Sequence, residues 1–216
     1  SPRYARRFDA VVDRVEALGH QELTAAVAVH LHKLMAYKDE YEVARLLLAT
    51  TRDQAAALAG PGAKVTWVLH PPMLRAVGFG RKIEFRGWTR PAFVVLRALR
   101  RLRGTPFDVF GWARVRRLER ALVGEYVAAI DALVAGLAAS TADDACAGRV
   151  IRTARVAQAV AIASLPDRVR GYEHLKLERA GAYRDELARM LAAFVAADQR
   201  SSAERYARRA ASGATR

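Results

Sequence analysis

Trp112, Val115, Leu118, Leu122, Tyr126, Ile130, Leu133 and Leu137 recur every three or four residues, and no other feature constrains the fold as strongly. The spacing puts them on one face of an α-helix about seven turns long, with Gly124 as an interruption. One apolar stripe of that length has to be covered by other helices. The rest of the chain supplies them, so the sequence predicts a mostly α fold of about six to seven helices.

Tyr4 to Leu18 carries Phe8, Val11, Val12, Val15 and Leu18 at helical spacing, and Gly19 is a natural stop. A second helix is expected from Glu22 to about Leu48, with Leu31, Leu34, Tyr41, Ala44 and Leu48 as its apolar stripe. Within it, Lys33 to Leu47 mixes three acids and three bases with apolar residues. Lys38 and Glu42, then Glu42 and Arg45, stand at spacings that support a charged ladder. A short alanine-rich helix precedes Gly60-Pro61-Gly62.

Residues 61–91 differ in character, with a β element expected near 64–86. Lys64–Leu69 is rich in β-branched and aromatic residues, and Lys82–Phe85 alternates polar with apolar. The pair suits a short two-stranded element with a helical turn at Met73–Val77, lying on the helices because a lone ribbon is marginal. Pro91 to about Arg103 reads as a helix with Phe93, Leu96 and Leu99 inward, followed by a loop over 103–111. Beyond the long helix, Asp143 or Asp144 caps another that ends before Pro166. Residues 165–176 form a charged connection turning at Gly171, and a last helix from Arg179 turns Tyr183, Leu187, Met190, Leu191 and Phe194 inward. Residues 1–199 are expected to be one helical domain, and 200–216 a basic Ala/Arg/Ser tail that is partly frayed.

The formal net charge of +14 invites a nucleic-acid reading. Arginine outnumbers lysine 31 to 5 and alanine reaches 45 residues, a skew that a GC-rich coding sequence produces by itself. The charge is also dispersed, with 18 bases against 10 acids in residues 1–108 and 18 against 12 in 109–216. Its local peak is Arg97–Arg120, where eight arginines face Asp108 and Glu119. No run of 18 apolar residues and no leader-like segment is seen, and Cys146 stands alone, which together suit a reducing cytoplasm.

Chemistry-bearing motifs are scarce. His30 and His32 point to different sides of a helix, His20, His70 and His174 fall in separate segments, and neither HExxH nor CxxC occurs, so no metal is expected. Phosphate-cradling glycine loops and GxSxG are missing. No residue is assigned a catalytic role.

Three stretches carry a likeness. KLMAYKDEYEVARL (33–46), LRGTPFDVFGWARVRRLER (102–120) and LPDRVRGYEHLK (165–176) closely resemble the C-terminal region of the large fused indolepyruvate ferredoxin oxidoreductases, members of the 2-oxoacid:ferredoxin oxidoreductase family. Between them, HPPML at 70–74, Gly80-Arg81-Lys82 and the Trp88 segment fall in the expected order, and the likeness covers about residues 20–180. In the third stretch Glu173 stands where the resemblance leads one to expect glycine, which puts any tight backbone contact there in doubt.

The resemblance implies a parent enzyme with thiamine diphosphate and iron–sulfur clusters. It oxidatively decarboxylates aryl 2-oxo acids, joins the acyl group to coenzyme A and passes electrons to ferredoxin. This chain has neither a GDG-to-NN thiamine-diphosphate motif nor a ferredoxin-type cysteine run. It is therefore expected to be a non-catalytic structural and docking domain of a cytoplasmic, homo-oligomeric enzyme, with the other domains as partners. Lys38, Glu42 and Arg45 are the docking candidates on the first stretch. Arg103, Arg114, Arg117, Arg170 and Lys176, with His174 beside them in the third stretch, are candidates for an anion: the phosphates of coenzyme A or the acidic face of ferredoxin. A basic nucleic-acid-binding module is the alternative from another class, and a membrane partner is not expected.

Overall fold

The computed structural model describes residues 2–37, 39–49, 52–60, 66–69, 83–85, 90–139, 146–171 and 173–213. Among them are eight α-helices: α1 (Pro2–Glu16), α2 (Gln21–Met35), α3 (Glu40–Ala49), α4 (Arg52–Ala59), α5 (Arg90–Ala98), α6 (Arg114–Ala139), α7 (Cys146–Ala163) and α8 (Glu173–Gly213). Strands β1 (Trp67–Leu69) and β2 (Ile83–Phe85) pair antiparallel, Trp67 opposite Phe85 and Leu69 opposite Ile83. The mostly helical class and the short ribbon inside 64–86 agree with the sequence. The turn expected at 73–77 and the caps at Asp143 and Asp144 lie outside the described residues.

The chain divides into two compact units, residues 1–36 with 120–216, and residues 37–119. In the first unit α1 packs on α2, α2 on α7, and α7 on α8. Val11, Val15, Leu23, Val27, Leu31, Tyr126, Leu133, Ile162, Tyr183 and Phe194 are buried in its core. The Tyr126 hydroxyl donates to the Ala163 carbonyl at 2.8 Å. In the second unit α3 packs on α5 and on the 3-10 turn after it, burying Tyr41, Ala44 and Phe93.

Three boundaries differ from the sequence expectation, each for a local reason. The helix expected over 22–48 breaks after Met35, because Asp39 opens a new one: its carboxylate accepts the Glu42 amide at 2.9 Å, and its carbonyl accepts that of Val43. The break also separates Leu31 and Leu34 from Tyr41 and Ala44, so the supposed single stripe is two. The long helix starts at Arg114 and not at Trp112. Residues 109–112 are a 3-10 turn capped by Asp108, leaving Trp112 65% exposed. The last helix begins at Glu173, following the left-handed Gly171 (φ +109°), and runs through Gly213, so the compositional change past Gln199 does not end it. Glu173 is helical, a conformation any residue adopts, and no glycine is required there.

By length and composition α6 is the one helix among the described residues that could cross a membrane, and a core helix shows the same pattern. Leu118, Leu122, Tyr126, Ile130, Leu133 and Leu137 of its stripe are buried.

Candidate functional site

Two of the three signature stretches meet in the second unit around a pair of buried carboxylates. Asp39 is 3% exposed and Asp108 is 1% exposed. Isolated charges do not persist in such places, so each must be matched by donors. Arg103 supplies them to Asp39 as a two-pronged fork, with Nη2 to Oδ1 and Nε to Oδ2 both at 2.6 Å. Asp108 accepts from the Tyr41 hydroxyl at 3.0 Å and from the amides of Gly104 at 2.9 Å and Gly111 at 3.1 Å. Gly104 has φ +82°, so its amide reaches inward from a turn that side-chained residues resist. Tyr41 stacks edge-on against Phe110, centroids 5.1 Å apart, and the Arg103 guanidinium lies 5.9 Å from the Tyr41 ring. Burial, then the bond to Asp108, pushes the Tyr41 phenol up to about 12.

A second cluster flanks the first. Arg116 donates to Glu119 at 2.6 Å and to Glu40 at 3.3 Å, with its guanidinium 5.9 Å from the Tyr37 ring. Burial alone would lower the Arg116 pKa, but the two carboxylates outweigh it and raise it. Both clusters join residues of 37–42 to residues of 103–119, which are the cores of the first two stretches.

The third stretch is anchored in the first unit by the opening residue of the first. Lys33 Nζ donates to the carbonyls of Pro166 and Asp167 at 3.1 and 3.3 Å and to Asp167 Oδ1 at 3.2 Å. Arg170 grips both oxygens of Asp167 at 2.6 Å, and Arg179 reaches the Arg170 carbonyl. Arg170, then Lys33, holds the Asp167 carboxyl down to about 2.

The sequence-derived candidates thus divide between the units. Glu42 and Arg45 pair on α3, with Arg45 Nη2 at 2.6 Å from Glu42 Oε1, and this partner holds the Glu42 carboxyl below the usual range. The side chain of Lys38 lies outside the described residues. Arg103 is tied to Asp39, whereas Arg114 and Arg117 are exposed at the start of α6. Arg170 is tied to Asp167, His174 is exposed and Lys176 is half-buried, all in the first unit. The five anion candidates therefore come from both units, and Arg103 and Arg170 already hold carboxylates.

Sequence reasoning missed Asp39, Asp108, Tyr41 and Arg116 as the centre of the arrangement. One signal was available: Asp39-x-x-Glu42 is a capping-box pattern that marks a helix start. It also missed the outward aromatics on the pinned loop, Phe107 at 74% and Trp112 at 65% exposure. Among the described residues no three His, Cys, Asp or Glu converge as a metal ion would require.

A family model, described as a family of unknown function (DUF6537), matches residues 1–189. The chain belongs to this family. The match takes in all three signature stretches and both carboxylate clusters, and stops inside α8. No curated protein and no solved structure matches the chain.

Proposed function

We propose that this member of the family is a non-catalytic structural and docking domain of an indolepyruvate ferredoxin oxidoreductase of the kind that the three stretches resemble. One observation carries the reading. The most distinctive residues of the chain hold one another in place, and the loop they pin turns two large aromatic side chains to the outside. A loop fixed by a buried carboxylate can present Phe107 and Trp112 at little entropic cost, and exposed tryptophan with neighbouring arginine is the composition of protein-binding hot spots.

Thiamine diphosphate and iron–sulfur clusters are expected in other parts of such an enzyme. A cluster takes several thiolates, and this sequence has a single cysteine, Cys146. The residues present do not fit these groups, so no step of the oxidative decarboxylation is routed through this chain. Its part is to bind the catalytic domains and hold them in place.

The test is retention of the thiamine-diphosphate and pyruvate-oxidoreductase domains of the same polypeptide on the immobilised chain, at two salt concentrations. Salt-resistant retention that weakens on Phe107→Ser or Trp112→Ser is the expected result, and Arg45→Glu reports on the α3 face. Failure to retain either domain, with salt-sensitive capture of bulk nucleic acid, overturns the reading. A second reading is favoured by the exposure of Arg114 and Arg117, for which no ion pair is found among the described residues. On it, they bind an anion, either the phosphates of coenzyme A or the acidic face of ferredoxin. Loss of coenzyme A or ferredoxin binding on Arg114→Ala with Arg117→Ala is its signature.

A further inference from the structure

Helix α5 carries a second apolar stripe that the packing leaves uncovered. Pro91, Val94, Val95, Ala98 and Leu99 follow the i, i+3, i+4, i+7, i+8 recurrence of a helix face meant for burial. Phe93 is buried against the unit and Leu96 half-buried, but all five stripe residues are exposed, with Val95 at 58%. Leu99, expected to point inward from the sequence, belongs to this outer face. Arg90, Arg97, Arg100 and Arg101 border it, each exposed and none in an ion pair among the described residues. An apolar centre with a polar, arginine-rich rim is the anatomy of a protein interface.

The chemistry of the rim selects the occupant. A second copy of this face would bring two arginine rims together, and like charges at contact distance are unfavourable. Single-stranded nucleic acid prefers rings on which bases stack, and this stripe is wholly aliphatic. A membrane surface calls for the bulky Trp, Phe and Leu of an interfacial helix, whereas Pro, Val and Ala dominate here. We infer that the outer face of α5 docks an acidic amphipathic helix of a partner protein, its apolar ridge on Val94, Val95 and Leu99 and its carboxylates on the arginine rim. The packing is helix on helix, and the paired guanidinium–carboxylate contacts set orientation and speed of encounter. This inference does not depend on which enzyme the chain serves.

The experiment uses the full 216-residue chain and four labelled probes. These are an amphipathic peptide with a leucine face and glutamate flanks, its twin with lysine flanks, a single-stranded oligonucleotide and phosphatidylserine vesicles. The expected result is binding of the glutamate peptide and not of its lysine twin. Val94→Ser with Val95→Ser should weaken that binding on the order of tenfold, since one well-buried aliphatic contact is worth about that factor. Both side chains are exposed, so circular dichroism and the melting curve should not change. Arg97→Glu with Arg101→Glu should exchange the preference, admitting the lysine twin. Glutamate-peptide binding that is indifferent to the valine changes overturns the inference, leaving charge alone. Binding of the oligonucleotide or vesicles in place of the peptide overturns it as well, as does binding of no probe. Retention of the oxidoreductase domains is read separately through Phe107 and Trp112, so either reading can fail without the other.

Discussion

Replacing Asp108 by alanine should cost the second unit far more than a polar-to-alanine change usually does. The carboxylate is 1% exposed and, among the described residues, accepts hydrogen bonds from the Tyr41 hydroxyl and the amides of Gly104 and Gly111. Bonds to a charged acceptor contribute about 1.5–3 kcal/mol each, and a buried donor left without its acceptor costs about 1–3 kcal/mol. Because these donors share one acceptor their contributions are not additive, and about 3–5 kcal/mol is the expected loss for Asp108→Ala. Tyr41→Phe removes the hydroxyl's bond and leaves both amides bonded, so about 1–2 kcal/mol is expected. Asp108→Asn should fall between them, because its amide group turns a donor toward a donor.

The assay is urea unfolding, read by circular dichroism and by tryptophan fluorescence, with the three variants compared at equal m-value. A second readout is the phenol itself. In wild type one tyrosine should titrate near 12, and Asp108→Ala should return it toward the ordinary value of about 10. A phenol with a raised folded pKa stabilises the fold below about pH 10, and that contribution is lost as pH rises toward 12. If Asp108→Ala destabilises no more than Tyr41→Phe, the carboxylate is not the organiser of the loop and the reasoning fails.

Other outcomes follow from the same geometry. Arg103→Lys should not restore the stability lost in Arg103→Ala, because lysine cannot fork across both oxygens of the buried Asp39; equal urea midpoints for Arg103→Lys and wild type would contradict this. The Asp167 carboxyl should titrate near pH 2 by NMR and move up toward about 4 in Arg170→Ala. Its contribution is present above about pH 4 and is lost as pH falls toward 2. Gly136→Ala should destabilise by about 1–3 kcal/mol, since its Cβ would lie 2.7 Å from Cε1 of the buried Phe194 and 3.2 Å from Arg155 Nη2. The matched control Gly124→Ala, in the same helix with nothing within 4 Å, should stabilise by up to about 1 kcal/mol.

The parts of the fold that repeat locally were legible in the sequence, and the parts that depend on distant residues were not. Leu118 to Leu137 point inward because a 3.6-residue period survives whatever surrounds it. The β pair announced itself through a β-branched and aromatic run at 64–69 and a polar–apolar alternation at 82–85, and the register is a matter of backbone pairing. The break at Ala36–Asp39 was hidden because Asp39 serves equally well as one rung of a charged ladder or as a helix cap, and only the folded chain decides. Trp112 continues the stripe arithmetically, yet Asp108 holds the turn before it in a tighter helix and rotates it outward. The fork from Arg103 to Asp39 spans 64 positions, and nothing in a 31-arginine sequence marks which guanidinium finds which carboxylate. The functional candidates suffered for the same reason: arginines read as free cations, such as Arg103 and Arg170, turned out to be neutralised internally.

The interruption of one unit's sequence by the other sets a timetable for synthesis. Helices α1 and α2 leave the ribosome before α7, on which α2 packs and which is encoded beyond residues 37–119. At about 5–20 residues per second, several seconds pass before that partner emerges. Residues 37–119 are contiguous and carry both carboxylate clusters, so they can complete their fold in that interval. Until α7 emerges, α2 lacks the helix on which it packs in the folded chain.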